Sequence, residues 1–325
     1  MEQPAEKAPY PFITAQLGGI PNTNVDVPVT CVFLVLFVFG AISHMTIFQI
    51  NRRRTHKFIP SAACFGFCMA RSLTCALRIS WAYNHDNVQL GIAASIFVAA
   101  GVLVLFILNL LFAQRCLRAA HPTFGWNPIV SKVFMFFYVL IIGILIMVIT
   151  ANIYLHYTLD VHKLSQCRDI LLVGGTYMAW FSFLPLPVLA LTLLLPRRSS
   201  SFPAEEFGTA GSFNSKLWIV GTAAFLLCAG ASFRDATSFL PQRLASNPHT
   251  VQNKPCFYIF VFTVEILVLY MFLITRIDRR FWVPDGSKGT YLQTRGNSLV
   301  DLTAPEKNPS NKTSKSTLMN GDVLA

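Results

Sequence analysis

Seven long apolar runs divide this chain of 325 residues, and each run is long enough to cross a lipid bilayer as a helix. A transmembrane helix needs about 20 predominantly apolar residues to cross roughly 30 Å of hydrocarbon. The sequence therefore predicts an all-α fold, a seven-transmembrane helix bundle. We expect its spans at about residues 28–50, 58–82, 88–112, 132–155, 169–195, 217–239 and 256–276.

The composition agrees with a lipid environment. Apolar residues make up 54% of the chain and charged residues only 13%, whereas a soluble domain usually carries about 25% charged residues. The net charge of +11 could indicate a nucleic-acid partner, but the basic residues form short clusters between the apolar runs. Because no nucleic-acid-binding motif accompanies these clusters, we expect the lipid bilayer as a partner and no nucleic acid.

The distribution of lysine and arginine predicts the orientation of the chain. With the N-terminus outside, 13 Lys and Arg residues before the tail lie at the inner side and five lie at the outer side. Basic residues are enriched in cytoplasmic loops, so the N-terminus is expected outside and the C-terminus in the cytoplasm. Residues 1–27 then form an extracellular segment, 28–282 the helix bundle and 283–325 a polar, disordered cytoplasmic tail.

Charged residues interrupt the apolar runs, among them Arg234 and Asp235 in the sixth, and four of these residues are the main candidates for a site: Arg71, Arg78, Asp235 and Glu265. Arg71 and Arg78 are seven residues apart on one face of the second span, and Glu265 lies about 14 Å inside the seventh. An unpaired charge at this depth is costly. We predict an Arg71–Glu265 pair and a shallower pair of Arg78 with Asp235. Two interpretations stay open: a polar ligand cavity or switch in the outer half of the bundle, and structural ion pairs.

Small residues and prolines indicate how two of the helices pack. Gly91, Ser95 and Ala99 recur every four residues in the third span, which allows close approach of a neighbouring helix. We expect this span to be central, with packing as the main role of these residues. Pro185 and Pro187 in the fifth span each remove a backbone donor and favour a kink, which is either a hinge or a static bend.

Two cysteines fall at the predicted outer side. Cys167 lies in the predicted loop between the fourth and fifth spans, and Cys256 begins the seventh. An oxidising compartment permits disulfides, so a bond between these two residues is predicted.

The sequence lacks the motifs of retinal proteins and of common membrane enzymes. Residues 256–276 contain no lysine for a Schiff base, and the seven histidines form no HxxxH pair. Neither a GxSxG nucleophile motif nor a Walker loop is present. We therefore expect that the protein is not an enzyme and that it uses no metal or cofactor.

The stretch 57–132 carries motifs that resemble one family. They are Phe-Gly-Phe-Cys-Met-Ala-Arg at 65–71, Cys-Ala-Leu-Arg-Ile-Ser-Trp-Ala at 75–82, Ile-Phe-Val-Ala-Ala-Gly-Val at 96–102 and Arg-Ala-Ala-His-Pro at 118–122. This stretch looks like a family of filamentous-fungal seven-helix proteins often labelled family-C-like G-protein-coupled receptors. The resemblance implies the seven-helix fold and a receptor-like role, while the function of that family is itself not established.

The expected function is receptor-like sensing of an extracellular or membrane small molecule, with a cytoplasmic signalling partner. Gln114-Arg115-Cys116 at the end of the third span differs from the acidic-Arg-Tyr triplet of rhodopsin-like receptors. The alternatives are a lipid or small-molecule transporter of fungal membranes and a membrane scaffold without a ligand. The plasma membrane is the expected location, and an endomembrane is the alternative.

Overall fold

The computed structural model describes residues 8–54, 57–195 and 207–283, and within these ranges it is helical with no strand. The predicted all-α, seven-helix fold is confirmed. Seven helices are long and apolar enough to cross a membrane, so the chain is an integral membrane protein in contact with lipid. The predicted tail lies outside the described residues, apart from residue 283. Spans 1 to 7 are Asp26–Arg53, Ile59–Tyr83, Val88–Ala120, Pro128–Leu155, Val161–Leu194, Phe213–Ser238 and Lys254–Ile274.

Spans 3 and 5 are longer than the apolar runs that predicted them. Span 3 continues to Ala120 and span 5 begins at Val161. Backbone hydrogen bonding continues through polar residues, whereas a hydropathy count ends at them. The side chain of Asp160 accepts a hydrogen bond from the backbone N–H of His162 at 3.0 Å and so caps the start of span 5.

The seven spans form a closed ring in which each helix packs on the next, and span 7 returns to span 1. Span 3 is the most buried helix, because its second half also contacts spans 2, 5 and 6. This agrees with the central position that its small residues predicted. Odd-numbered spans begin at the end of the bundle that carries residues 8–25. We call this end the N-terminal face and the opposite end the C-terminal face.

Three of the spans are interrupted. Span 3 breaks at Val102, between helices Val88–Gly101 and Leu103–Ala120, and span 7 contains the π-helix Tyr258–Thr263. Span 5 breaks at Leu184, and a second helix begins at the buried Pro185. Pro187 is exposed on that second helix. The prolines therefore do mark an interruption, because proline cannot donate a backbone hydrogen bond.

Residues 8–25, here called the N-terminal segment, fold over the N-terminal face. The backbone N–H of Ala15 donates to Arg243 at 2.8 Å, and that of Gly18 donates to Gln252 at 2.9 Å. Gly18 has a φ of +79°, and a Cβ there would lie 2.6 Å from the ring of Phe257. Only glycine fits this close and left-handed turn. The segment is therefore packed against the bundle, which its polar sequence alone did not predict.

Aromatic contacts hold the N-terminal segment to the loop after span 4. The ring of Phe12 lies 4.3 Å from the ring of His156, and the backbone N–H of Tyr10 donates to the His156 carbonyl at 2.7 Å. His156 is only 4% exposed. Burial lowers the pKa of its imidazole, because the protonated ring would lose its hydration.

Candidate functional site

A cavity of about 360 Å³ lies beneath the N-terminal segment and is lined by residues of spans 2 to 7. This volume is within the range of small-molecule sites, about 300–1,000 Å³. Thr14, Gln16 and Gly19 of the segment cover its mouth. The other polar residues that line it are Arg78, Ser95, Asn152, Arg168, Arg234, Asp235, Thr237, Ser238, Gln242 and Gln252.

Arg78 pairs with Asp26 and not with Asp235, so the predicted Arg78–Asp235 pair is wrong. The Arg78 Nη2 atom lies 3.6 Å from the Asp26 carboxylate, and its guanidinium stacks on Phe257 at 4.3 Å. Asp235 instead faces span 5, where its carboxylate accepts a hydrogen bond from Thr176 at 3.4 Å. The second span packs extensively on the first, so the acid at the start of span 1 is the nearer partner.

Asp26 joins three spans at the N-terminal face. Its carboxylate is nearly fully buried and also accepts hydrogen bonds from Lys254 and, at 2.7 Å, from the Tyr258 hydroxyl. The hydroxyls of Thr30 and Tyr258 lie 2.9 Å apart. Sequence reasoning missed Asp26, which it placed in the extracellular segment. The available signal was the position of Asp26 at the start of the first apolar run. An acid at a helix N-terminus interacts favourably with the helix dipole.

The structure brings Arg71 and Glu265 together in a bidentate ion pair between spans 2 and 7. The third nitrogen of the guanidinium donates to the carbonyls of Phe97 and Val98, both at 3.1 Å. In a regular helix the Val102 N–H would donate to the Val98 carbonyl. At the break in span 3 it donates to the Ala100 carbonyl instead, which leaves the Val98 carbonyl available to Arg71. Each nitrogen of this buried arginine is therefore satisfied.

The Arg71–Glu265 pair is closed off from the cavity. Arg71 is 0% exposed and Glu265 2% exposed, and neither side chain lines the cavity wall. Gly101 packs on the guanidinium, since a Cβ at that position would lie 3.1 Å from the Arg71 Cζ atom. The predicted polar cavity around this pair is therefore misplaced: the cavity lies closer to the N-terminal face, around Arg78 and Arg234.

The row of small residues in span 3 does not act as one packing face. A Cβ on Gly91 would lie 2.5 Å from Phe12 and 2.8 Å from Trp81. The absence of a side chain at Gly91 therefore leaves room for the N-terminal segment. Ser95 accepts a hydrogen bond from the Asn152 amide at 2.8 Å. The expectation that all three serve helix packing stays a prediction, and Ser95 and Ala99 also contribute to the cavity wall.

Cys167 and Cys256 are both free cysteines, so the predicted disulfide is not formed. Span 5 packs mainly on spans 4 and 6, whereas span 7 packs on spans 1 and 6. The two cysteines therefore belong to helices that are not neighbours in the ring. In the described part of the chain, no group of three or more His, Cys, Asp or Glu residues could hold a metal ion.

Two arginines of the cavity wall were not placed in the site by sequence reasoning. Arg168 precedes the apolar run that predicts span 5, so the sequence alone assigns it to the outer side among the five basic residues there. Arg234 was noted only as an interruption of span 6. Arg168 lies on a helix that begins before its apolar run, and Arg234 lies on a helix that continues past this residue to Ser238. Hydropathy alone reveals neither.

Comparison with known families gives a match in the second half of the chain. Residues 122–210 and 204–282 match a family described as Protein of unknown function (DUF3112). This region contains spans 4 to 7 and contributes Arg168, Arg234 and Asp235 to the cavity. No curated protein and no solved structure matches the chain. The family description assigns no activity, so a function must be argued from the site.

Proposed function

We propose that the protein is a receptor-like membrane protein, without catalytic activity, that binds a small molecule in the cavity beneath the N-terminal segment. The observation that carries the proposal is a cavity of ligand size, covered by residues 14–19 and lined by both polar and apolar side chains. Binding sites in helical bundles have this concave and mixed character. A scaffold without a ligand would gain nothing from such a void, since empty space forfeits packing energy.

The contacts of the N-terminal segment support a sensing role. The segment covers the cavity and also bonds to His156 after span 4 and to Gln252 before span 7. A ligand beneath it would therefore contact helices from both halves of the chain. The Arg71–Glu265 pair, by contrast, is fully satisfied, which favours a structural role for it. In this proposal the N-terminal face lies outside the cell, as the distribution of basic residues predicts.

The test is a screen of water-soluble organic compounds for those that raise the melting temperature of the purified chain. Ala99→Phe adds a ring to the cavity wall and should abolish the shifts. Ile146→Phe adds a ring to a side chain of span 4 that is 60% exposed, and it should preserve them. The proposal fails if no compound stabilises the protein, or if Ala99→Phe retains every shift.

Transport is the second candidate function, and the interrupted helices favour it. Spans 3 and 5 depart from regular helical hydrogen bonding at Val102 and Leu184, both of which keep helical φ and ψ, and span 7 contains a π-helix at residues 258–263. Discontinuous helices near the middle of the membrane are common in transporters. Proteoliposomes distinguish the two functions, because a transporter would accumulate the bound compound and a receptor would not.

A further inference from the structure

We propose that the cavity takes an amphipathic anion, which is a carboxylate or phosphate head carried on an apolar body. Arg78, Arg168 and Arg234 would hold the head. This inference rests on the proposed function, because it names the ligand class for the same cavity.

The charges on the cavity wall are unbalanced. Three arginines line it, and Asp235 is the one carboxylate among the described lining residues. The Asp235 carboxylate is engaged with span 5, since it contacts Thr176 and a Cβ on Gly175 would lie 2.8 Å from its Oδ1 atom. It forms no ion pair within the described ranges. The wall therefore presents cationic groups that its own acid does not neutralise.

The arginines have unused hydrogen-bonding capacity. Arg78 is only 4% exposed; its Nη2 atom faces the Asp26 carboxylate at 3.6 Å, which is beyond hydrogen-bond distance, and its Nε and Nη2 atoms have no hydrogen-bond partner among the described residues. The guanidinium groups of Arg168 and Arg234 form no hydrogen bond or ion pair with residues 8–54, 57–195 or 207–283. A buried donor without an acceptor destabilises the folded chain, which applies to Arg78, whereas Arg168 and Arg234 are half-buried. An anion in the cavity would supply acceptors to the half-buried Arg168 and Arg234 and would offset the charge of Arg78.

The surrounding acids do not compensate for these cations. Glu265 is within electrostatic reach of Arg234, but Arg71 already occupies both of its oxygens. Asp26 is likewise shared between Arg78 and Lys254. The cavity wall and these two clusters together carry five basic side chains and three acidic ones. A net positive charge among the helices of a membrane protein favours a counter-charge.

The deeper wall of the cavity is apolar and determines the rest of the ligand. Met178 lies ten residues further along span 5 than Arg168, which is about 15 Å at 1.5 Å per residue. Val98, Phe106 and Val148 line the cavity as well. A ligand with its head on the arginines would place an apolar body against these side chains. A bare inorganic ion would leave that part of the cavity unfilled.

Three water-soluble probes with the same apolar body test the inference on the purified full-length chain. They are phenylbutyrate, phenylbutyl phosphate and the uncharged phenylbutanamide, each titrated to millimolar concentration while the melting temperature is recorded. We expect one or both anions to stabilise the protein and the amide to be at least about tenfold weaker, as loss of a charge-assisted hydrogen bond implies. The tighter of the two anions identifies the head group.

Matched variants identify the residues that bind the head. Arg168→Gln and Arg234→Gln should each weaken the anion by about tenfold. Arg243→Gln, at an exposed loop position outside the cavity, should not change its affinity. Without ligand, the first two variants should melt at or above the wild-type temperature, because each removes an uncompensated charge. If these arginines were merely structural, the same variants would melt lower and bind unchanged.

Three results would overturn the inference. Equal binding of the amide would show that the cavity does not select an anion, although the proposed small-molecule function would stand. Unchanged anion affinity in both Arg168→Gln and Arg234→Gln would place the anion elsewhere. Failure of all three probes would remove the ligand class, and the compound screen with Ala99→Phe would then decide the proposed function separately.

Discussion

Removal of one partner from the Arg71–Glu265 pair should destabilise the protein far more than removal of both. Glu265→Leu leaves an arginine that is 0% exposed with two carbonyl partners and no carboxylate. Arg71→Met leaves a carboxylate that is 2% exposed, facing Arg234 only at longer range. Breaking a buried pair from one side costs about 3–5 kcal/mol. Each single variant should lose stability on this scale.

The double variant Arg71→Met/Glu265→Leu should lose much less. Replacement of a buried ion pair by apolar residues is often close to neutral. Here the carbonyl of Val98, which the irregular turn of span 3 leaves without a helical donor, also loses the donor that Arg71 supplies. An unsatisfied buried acceptor costs roughly 1–3 kcal/mol. We therefore expect the double variant to be destabilised by about 1–3 kcal/mol, less than either single variant.

The measurement is reversible unfolding in mixed detergent micelles, with the free energy of unfolding compared in a double-mutant cycle. Arg243→Met is the matched control, because this exposed arginine should change stability by no more than about 0.5 kcal/mol. If the two single losses simply add in the double variant, the side chains are not coupled and the reasoning is refuted. Single losses below about 1 kcal/mol would refute the burial argument as well.

Three further predictions concern the N-terminal face. Gly91→Val should push Phe12 away and expose residues 8–25 to protease, since a Cβ there would lie 2.5 Å from the ring; unchanged cleavage would contradict this. Asp26→Asn should lower the melting temperature by weakening the contact with Lys254. High salt should not lower the melting temperature of the wild type by a similar amount, because a buried pair is little screened. An equal loss in high salt would contradict this. Burial lowers the pKa of His156, so the unfolded chain takes up a proton on this imidazole before the folded chain does. The stability of the folded chain should therefore decrease as the pH falls below about 6.5, the ordinary pKa of histidine. His156→Phe should flatten that part of the pH profile of the melting temperature, and an unchanged profile would exclude His156 as its source.

The sequence predicted the seven helices and the partnership of Arg71 with Glu265. Both depend on rules that act along the chain. Long apolar runs form helices in lipid because the backbone must satisfy its own hydrogen bonds. A charge deep in such a run must find an opposite charge at similar depth. Helical rise converts residue number into depth, so the position of each charge along its span follows from the amino-acid sequence alone.

The tertiary structure decided which charges of similar depth are neighbours. Arg78 could have met Asp235 by depth alone, but the order of helices around the ring places Asp26 beside it. The same packing separates Cys167 from Cys256 and opens the cavity beside Ala99. Depth is a property of one helix, whereas rotation and neighbour order arise from the packing of all seven. For this reason the sequence determined the levels of the charged groups in the bundle, and only the fold determined their partners and the position of the cavity.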